Sequence, residues 1–149
     1  MAKQLITSIE IDAPSSIVWE VLTDFTRFDQ WNPFIRSVIG EATQGEQLQV
    51  QVHPPGGNDM MFRPVVLVAE VEHELRWLGR FLFPGVFDGE HRFQIEALSD
   101  CRVRFVHSEV FSGLLVPFFW RSLDTQTRRG FEEMNKALKL RAEHYSSAA

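Results

Sequence analysis

The chain has 149 residues with 44% hydrophobic and 23% charged residues, so we expect one folded domain spanning residues 1–149 rather than a disordered chain. The net charge of −5 argues against nucleic acid and anionic lipid surfaces as main partners, because binding phosphate groups requires a basic patch. The single cysteine, Cys101, excludes an intrachain disulfide and a multi-cysteine zinc site.

The N-terminal part of the chain predicts one strand followed by two short helices. Residues 4–12 alternate apolar and polar side chains, as a half-buried strand does. Pro14 then suits the first turn of a helix, where its missing N–H group costs nothing. The apolar stripe of this helix is Ile17, Val18, Val21 and Leu22. A second short helix is expected over residues 25–31, with Asp24 as its N-cap.

The middle of the chain predicts six strands separated by short turns. They are expected at residues 34–43, 47–53, 61–70, 75–80, 88–98 and 102–112. The clearest alternation is that of residues 47–53, and a loop rich in proline and glycine follows it at residues 54–59. Short turns cannot form the crossovers that parallel strands need, so we expect an antiparallel meander.

The last third of the chain predicts one long amphipathic helix, from Pro117 to Tyr145. Its apolar stripe is Trp120, Leu123, Thr127, Phe131, Met134 and Leu138. Gly130 lies in the middle and would permit a close approach or a bend. Because a sheet must cover its apolar face, the predicted fold class is α+β, with a curved antiparallel sheet of about seven strands wrapped around this helix. The 13 phenylalanines suit the walls of an apolar cavity between sheet and helix.

Several segments resemble the START-like helix-grip superfamily, which includes polyketide cyclases, plant pathogenesis-related allergens and lipid-transfer domains. They are IEIDAP at residues 9–14, VWEVLTD at 18–24, FDQWNPF at 28–34, LRWLG at 75–79, EHRF at 90–93 and EVFSG at 109–113. The resemblance implies a helix-grip fold with two short helices after the first strand. Because members of this superfamily bind lipids, hormones or polyketides and some catalyse cyclisation, it also implies a small hydrophobic ligand. It leaves open whether a reaction is catalysed.

Alternation along the last two predicted strands places three polar side chains on the inner face of the sheet, among Phe93 and Phe105. They are His91, His107 and Glu109. A buried carboxylate must be paired, hydrogen-bonded or protonated. A Glu–His pair meets this demand, and it could also contact a ligand or act as a general acid and base.

The partner of His91 depends on the register of the hairpin. Pairing Leu98 with Arg102 sets His91 opposite Glu109, whereas the alternative register sets it opposite His107. The two histidines and the glutamate could in principle form a metal site, but nothing else in the sequence provides supporting groups. No metal and no cofactor are therefore expected.

The complete set of predicted ligand contacts is Trp77, Gly79, His91, Phe93, Phe105, His107, Glu109, Leu123, Phe131 and Met134. Gly79 would leave room beside Trp77, because a glycine within a strand marks a close approach. Residues 118–120 (FFW) cannot all share one helical face. At least one of them is expected to contact the loop at residues 81–84 (FLFP), which could instead form a homodimer contact or a lid.

Three functions remain open. The favoured one is binding, without catalysis, of a small hydrophobic molecule of lipid, polyketide or aromatic type. A cyclase or aromatase would instead use His91, His107 and Glu109 for proton transfer, and a protein-interaction module would have a filled cavity. No run approaches the roughly 18 apolar residues of a membrane span, and the N-terminus lacks the layout of a signal peptide. We therefore expect a cytoplasmic protein with no integral membrane association.

Overall fold

The fold is α+β, with antiparallel sheet packed against a long C-terminal helix. The computed structural model describes residues 2–81 and 83–148. The strands are β1 (Lys3–Ile11), β2 (Ile35–Ile39), β3 (Gln49–Val52), β4 (Met60–Phe62), β5 (Val65–Glu70), β6 (Glu74–Phe81), β7 (Phe87–Ser99) and β8 (Arg102–Ser112). The helical segments are α1 (Ser15–Thr23), a 3₁₀ helix (Phe25–Gln30), α2 (Val116–Ser122), a π-helical turn (Leu123–Thr127) and α3 (Arg128–Ala148).

The strands form two antiparallel sheets, so the expected meander is divided in two. One sheet has the order β1-β8-β7-β6-β5, and the other has the order β2-β3-β4. The strand predicted at residues 61–70 is divided into β4 and β5 at Pro64, because proline has no N–H group to give to a ladder. The two sheets remain joined by a bridge between Gln47 and Val65. Because of this division, the three-stranded sheet forms a second wall that can face the five-stranded sheet.

The β7–β8 hairpin has the first of the two predicted registers, with His91 opposite Glu109. The turn itself differs from the prediction, since Ser99 rather than Leu98 pairs with Arg102. A bulge at Leu98 takes up the extra residue next to the turn. The remainder of the ladder is therefore unchanged, and the inner faces of both strands are those that alternation predicted.

The long helix approaches the strands closely at Gly130 and Phe131. A methyl group at Gly130 would overlap the ring of Phe34, so the predicted close approach is confirmed. Phe131 is fully buried, and its ring packs edge-on against Phe34 with centroids 5.6 Å apart. The helix was predicted as uninterrupted, whereas a π-helical turn separates α2 from α3. No helix in the described part of the chain is long and apolar enough to cross a bilayer.

Candidate functional site

A cavity of about 480 Å³ lies between the two sheets and the π-helical turn. Its apolar wall includes Phe34, Val52, Phe62, Trp77, Phe111 and Leu123. The polar side chains that reach it are Asn58, His91, Glu109, Ser122, Gln126 and Thr127. The volume is within the range of about 300–1,000 Å³ that is usual for small-molecule sites, which also combine apolar walls with a few polar groups.

The predicted ligand contacts divide into two groups along the strands. Those that line the cavity are Trp77, Gly79, His91, Glu109 and Leu123. The others, Phe93, Phe105, His107, Phe131 and Met134, are buried in the core and are not part of the cavity wall. Alternation along a strand shows on which face of the sheet a side chain lies, but not whether it lies in the packed core or at the cavity wall. Here helix α3 fills the space at one end of the strands, and the cavity is confined to the other.

Sequence reasoning missed the wall formed by β2, β3 and the loop at residues 54–59. Phe34, Val50 and Val52 belong to it. The alternation of residues 47–53 showed which side chains share a face, but no local signal showed what they face. The pairing of two separate sheets across a cavity depends on contacts between distant residues.

Gly89 was also missed. It lines the cavity on β7, and a methyl group there would overlap the carboxylate oxygen Oε2 of Glu109. The available signal was the one applied to Gly79, since a glycine inside a strand marks a close approach. Gly89 therefore provides the space that the Glu109 carboxylate occupies.

A continuous chain of polar contacts runs from the cavity wall into the core. Nδ1 of His91 lies 3.3 Å from Oε1 of Glu109, and Nε2 of His91 lies 2.7 Å from Nε2 of His107. Nδ1 of His107 lies 2.9 Å from Oδ1 of Asn135. Asn135 Nδ2 donates to Thr7 Oγ1 at 2.9 Å, and this hydroxyl donates to the carbonyl oxygen of His107 at 3.0 Å. His91 thus contacts both of the partners that the sequence offered as alternatives.

The same contacts bear on metal binding by His91, His107 and Glu109. The Nε2 atoms of the two histidines face each other at hydrogen-bonding distance, so they do not point together at a common metal position. Within residues 2–81 and 83–148, no group of three or more His, Cys, Asp or Glu side chains is arranged to hold a metal ion. The arrangement is a hydrogen-bonded chain from His91 through His107 and Asn135 to Thr7, with the Glu109 carboxylate beside His91.

Folding stability is expected to fall by about 1 kcal/mol when the pH is lowered from about 7.5 to about 5.5. Burial, with a further contribution from the neighbouring His91, holds the pKa of His107 well below its ordinary value. As the pH falls, His107 is protonated in the unfolded chain but stays neutral in the folded chain. Lowering the pH therefore favours the unfolded state. Urea denaturation at the two pH values measures the difference.

Two variants provide the comparison for this pH dependence. The His107→Gln variant should lose most of the pH dependence of stability, whatever its absolute stability, because the titrating group is gone. His144→Gln, which removes an exposed histidine, should keep it. Equal pH dependence in both variants would show that another group is responsible.

The comparisons with known proteins agree on the fold. A family model described as polyketide cyclase / dehydrase and lipid transport matches residues 4–143. A START superfamily protein from Mycobacterium smegmatis superposes with a TM-score of 0.76 at 20% identity, covering 95% of this chain and 98% of that chain. The Zhui aromatase/cyclase from Streptomyces sp. R1128 gives 0.75 at 18% identity, covering 97% and 95%.

A plant enzyme has the same architecture. Norcoclaurine synthase from Thalictrum flavum, solved as a point mutant in complex with a transition state analogue, gives a TM-score of 0.72 at 14% identity, with 98% of each chain covered. A search of curated protein sequences found no match to this chain. At these identities the structural likeness shows the fold alone.

Proposed function

The chain belongs to the polyketide cyclase / dehydrase and lipid transport family, and from this premise we propose that its cavity binds a small, mainly apolar molecule carrying one carbonyl or hydroxyl group. The observation that carries the proposal is the cavity of about 480 Å³ with apolar walls and a Glu–His pair on one side. Sites of this composition bind ligands through apolar contact and orient them through a few polar groups.

The Glu109–His91 pair is where we place the polar group of the ligand. Both side chains line the cavity while remaining largely shielded from solvent, at 15% and 7% exposure. A ligand carbonyl or hydroxyl buried against the phenylalanine walls would lose its hydrogen bonds to water without replacement, which is unfavourable. Next to Glu109 a ligand hydroxyl would regain one by donating to the carboxylate, and a ligand carbonyl could accept from the side-chain amide of Gln126, which also lines the cavity.

Aromatic side chains surround the proposed entrance of the cavity. Phe81 and Phe119 line the cavity and are both partly open to solvent. Phe83 and Phe118 are nearby in the chain and are 72% and 82% exposed. We propose that an apolar molecule enters past these side chains, since exposed apolar groups next to a cavity favour contact with apolar molecules.

The structure bears unequally on the other two hypotheses. A protein-interaction module was expected to have a filled cavity, which does not fit the open volume between the sheets. The acid–base hypothesis depends on contact between a carboxylate and an imidazole at the cavity wall, and Glu109 and His91 provide one. The family description, polyketide cyclase / dehydrase and lipid transport, supports a polyketide-like or lipid-like ligand.

Calorimetric titration with 2-tetralone, a bicyclic ketone, tests the binding. The wild-type protein should bind it, and Gly79→Leu should weaken binding by about tenfold or more, because the new side chain would occupy the cavity. A Cβ atom at Gly79 would lie 3.8 Å from Pro64 and 3.9 Å from the carbonyl oxygen of Gly89. The backbone therefore has room for a side chain at this position.

The matched control is Arg80→Leu, which adds the same leucine on the exposed face of the same strand. This variant should bind 2-tetralone as the wild type does. Absence of binding to the wild-type protein, for both 2-tetralone and 2-naphthol, would contradict the proposed function. Equal weakening by both substitutions would show that the cavity is not the binding site.

A further inference from the structure

Two segments of the chain have no charged side chain and no side chain that can form a hydrogen bond. They are residues 81–87 (FLFPGVF) and 113–119 (GLLVPFF). In the fold they lie side by side, because the N–H group of Leu114 donates to the carbonyl oxygen of Gly85 at 3.0 Å, and the next residue in each segment repeats this bond at the same length. We refer to these two segments together as the apolar tip.

The apolar tip presents large apolar side chains to solvent. Phe83, Leu114 and Phe118 are 72%, 77% and 82% exposed, and Phe81 and Phe119 are about half exposed. Exposed apolar residues that are scattered singly are ordinary, whereas a contiguous group of them marks an interaction site. The group here comes from two segments that are bonded to each other, so its members lie close together in space.

The apolar tip is fixed by further contacts of its own. The carbonyl oxygen of Phe83 accepts a backbone hydrogen bond at 3.2 Å, and the N–H group of Phe118 donates one at 3.1 Å. The rings of Phe87 and Phe119 pack edge-on with centroids 6.0 Å apart, which joins the two segments a second time. The exposed side chains are therefore carried by backbone that already has its hydrogen bonds.

Basic side chains border the apolar tip. Arg80 directly precedes its first segment, Arg121 lies two residues after its second, and both are exposed. Nζ of Lys3 lies 5.6 Å from the ring of Trp120, the residue between the second segment and Arg121. The acidic residue next to the first segment, Asp88, lies 3.8 Å from Arg80 and is only 16% exposed. The charge at this border is therefore positive, although the whole chain has a net charge of −5.

We infer that the apolar tip docks on the surface of a lipid bilayer that contains anionic phospholipid. Its phenylalanines enter the region of the acyl chains, and Lys3, Arg80 and Arg121 lie at the level of the phosphate groups. The inference goes beyond the proposed function, because this surface needs no ligand in the cavity in order to bind a bilayer.

The chemistry of the apolar tip fits a bilayer better than a protein partner. A protein interface contains about one hydrogen bond per 100–200 Å², and the side chains of these two segments have no donor or acceptor to offer. Acyl chains require none. Proteins that lie on a membrane combine exposed apolar side chains with basic residues beside them, and tryptophan favours the level of the headgroups. Trp120 and Lys3 are placed together at this border.

The apolar tip is also part of the cavity wall. Phe81, Phe87, Leu115 and Phe119 line the cavity. A cavity docked by this end would face the acyl chains of the bilayer, so an apolar molecule could pass between them without the unfavourable step of entering water. Docking thus gives a reason for the exposed apolar surface to lie next to the cavity.

Sedimentation with sucrose-loaded vesicles measures the docking. The vesicles consist of phosphatidylcholine with a minor share of phosphatidylglycerol, and vesicles of phosphatidylcholine alone serve for comparison. The wild-type protein should bind the mixed vesicles. Binding should be about tenfold weaker to phosphatidylcholine alone, because each basic residue near an anionic surface contributes to binding. High salt should weaken binding to the mixed vesicles in the same direction.

Phe118→Asp should lower the affinity for the mixed vesicles by about tenfold or more, since it removes apolar contact and adds a charge that the acyl chains exclude. Leu140→Asp is the matched control at another exposed apolar position, 71% exposed. Its neighbour Lys139 bonds to Glu10 near the end of β1 that is remote from Lys3, so Leu140 lies far from the apolar tip. This variant should bind as the wild type does, and circular dichroism checks that both variants are folded.

A second measurement distinguishes insertion from attraction by charge alone. Phe118→Trp places an additional tryptophan on the apolar tip, and brominated phosphatidylcholine quenches tryptophan fluorescence at the depth of the acyl chains. Quenching should exceed that of the wild-type protein, which has four tryptophans. Leu140→Trp should add no quenching. Equal quenching of the two variants would contradict insertion of the apolar tip.

The remaining outcomes separate this inference from the proposed function. Absence of wild-type binding to the mixed vesicles, or equal weakening by Phe118→Asp and Leu140→Asp, would overturn the inference. So would a dimer in analytical ultracentrifugation that Phe118→Asp dissociates, because a second copy would then cover the apolar tip. Binding to vesicles without binding of 2-tetralone or 2-naphthol would overturn the proposed function and leave the docking standing.

Discussion

Replacing Phe131 with alanine is expected to lower the free energy of unfolding by about 3–5 kcal/mol. The side chain is fully buried, and its ring stacks on that of His107 with centroids 3.9 Å apart and an angle of 8° between the planes. Removing it would leave an empty space between helix α3 and the sheet, and would expose one face of a buried imidazole. Urea denaturation measures the change.

Phe118→Ala is the matched control for this prediction. Phe118 lies in the same C-terminal helical region but is 82% exposed, so its removal should change stability by less than about 0.5 kcal/mol. Comparable losses in the two variants would mean that Phe131 is not packed as described. The pair compares the same substitution at a buried and at an exposed position.

Gly130→Ala is expected to lower the free energy of unfolding by about 1–3 kcal/mol, the usual cost of overpacking. In an exposed helix this substitution stabilises by roughly 1 kcal/mol, because alanine is the better helix former. Here the added methyl group would overlap the ring of Phe34, and both residues are buried. The steric overlap should therefore make the substitution destabilising rather than stabilising. Thermal or urea denaturation detects this change in the free energy of unfolding.

Two further variants isolate the cause. Glu133→Ala, at an exposed position of the same helix, should change stability by less than about 0.5 kcal/mol. Phe34→Leu should make Gly130→Ala less costly than it is in the wild type, because the smaller side chain leaves room for the methyl group. Additive effects of the two substitutions would contradict the close approach.

The outcome at β7 and β8 shows how far a local pattern reaches. Alternation depends only on the two-residue period of a strand, so the inward direction of His91, His107 and Glu109 could be read from neighbouring residues. The register followed within one residue, since the bulge at Leu98 affected the turn alone. The division at Pro64 could have been predicted from the missing N–H group of proline.

Other features had no local signal. The π-helical turn at Leu123–Thr127 interrupts a helix whose apolar spacing looked regular. Asn135 was unremarkable on its helix, yet in the fold it bonds to His107, 28 residues away, and to Thr7, 128 residues away. Such partners are brought together by packing, and a single sequence contains no record of their distance.

The sequence by itself determined the class of fold, the face of each strand that turns inward and the presence of a carboxylate and two imidazoles on that face. These features depend on residues close together in the chain. The tertiary structure decided that helix α3 fills one end of the sheet and leaves the other open, and that Glu109 and His91 alone of the three reach the cavity. It also brought Thr7 and Asn135 into hydrogen-bonding contact with His107 behind them, because the place of a side chain in the core and its partners are set only when distant segments pack together.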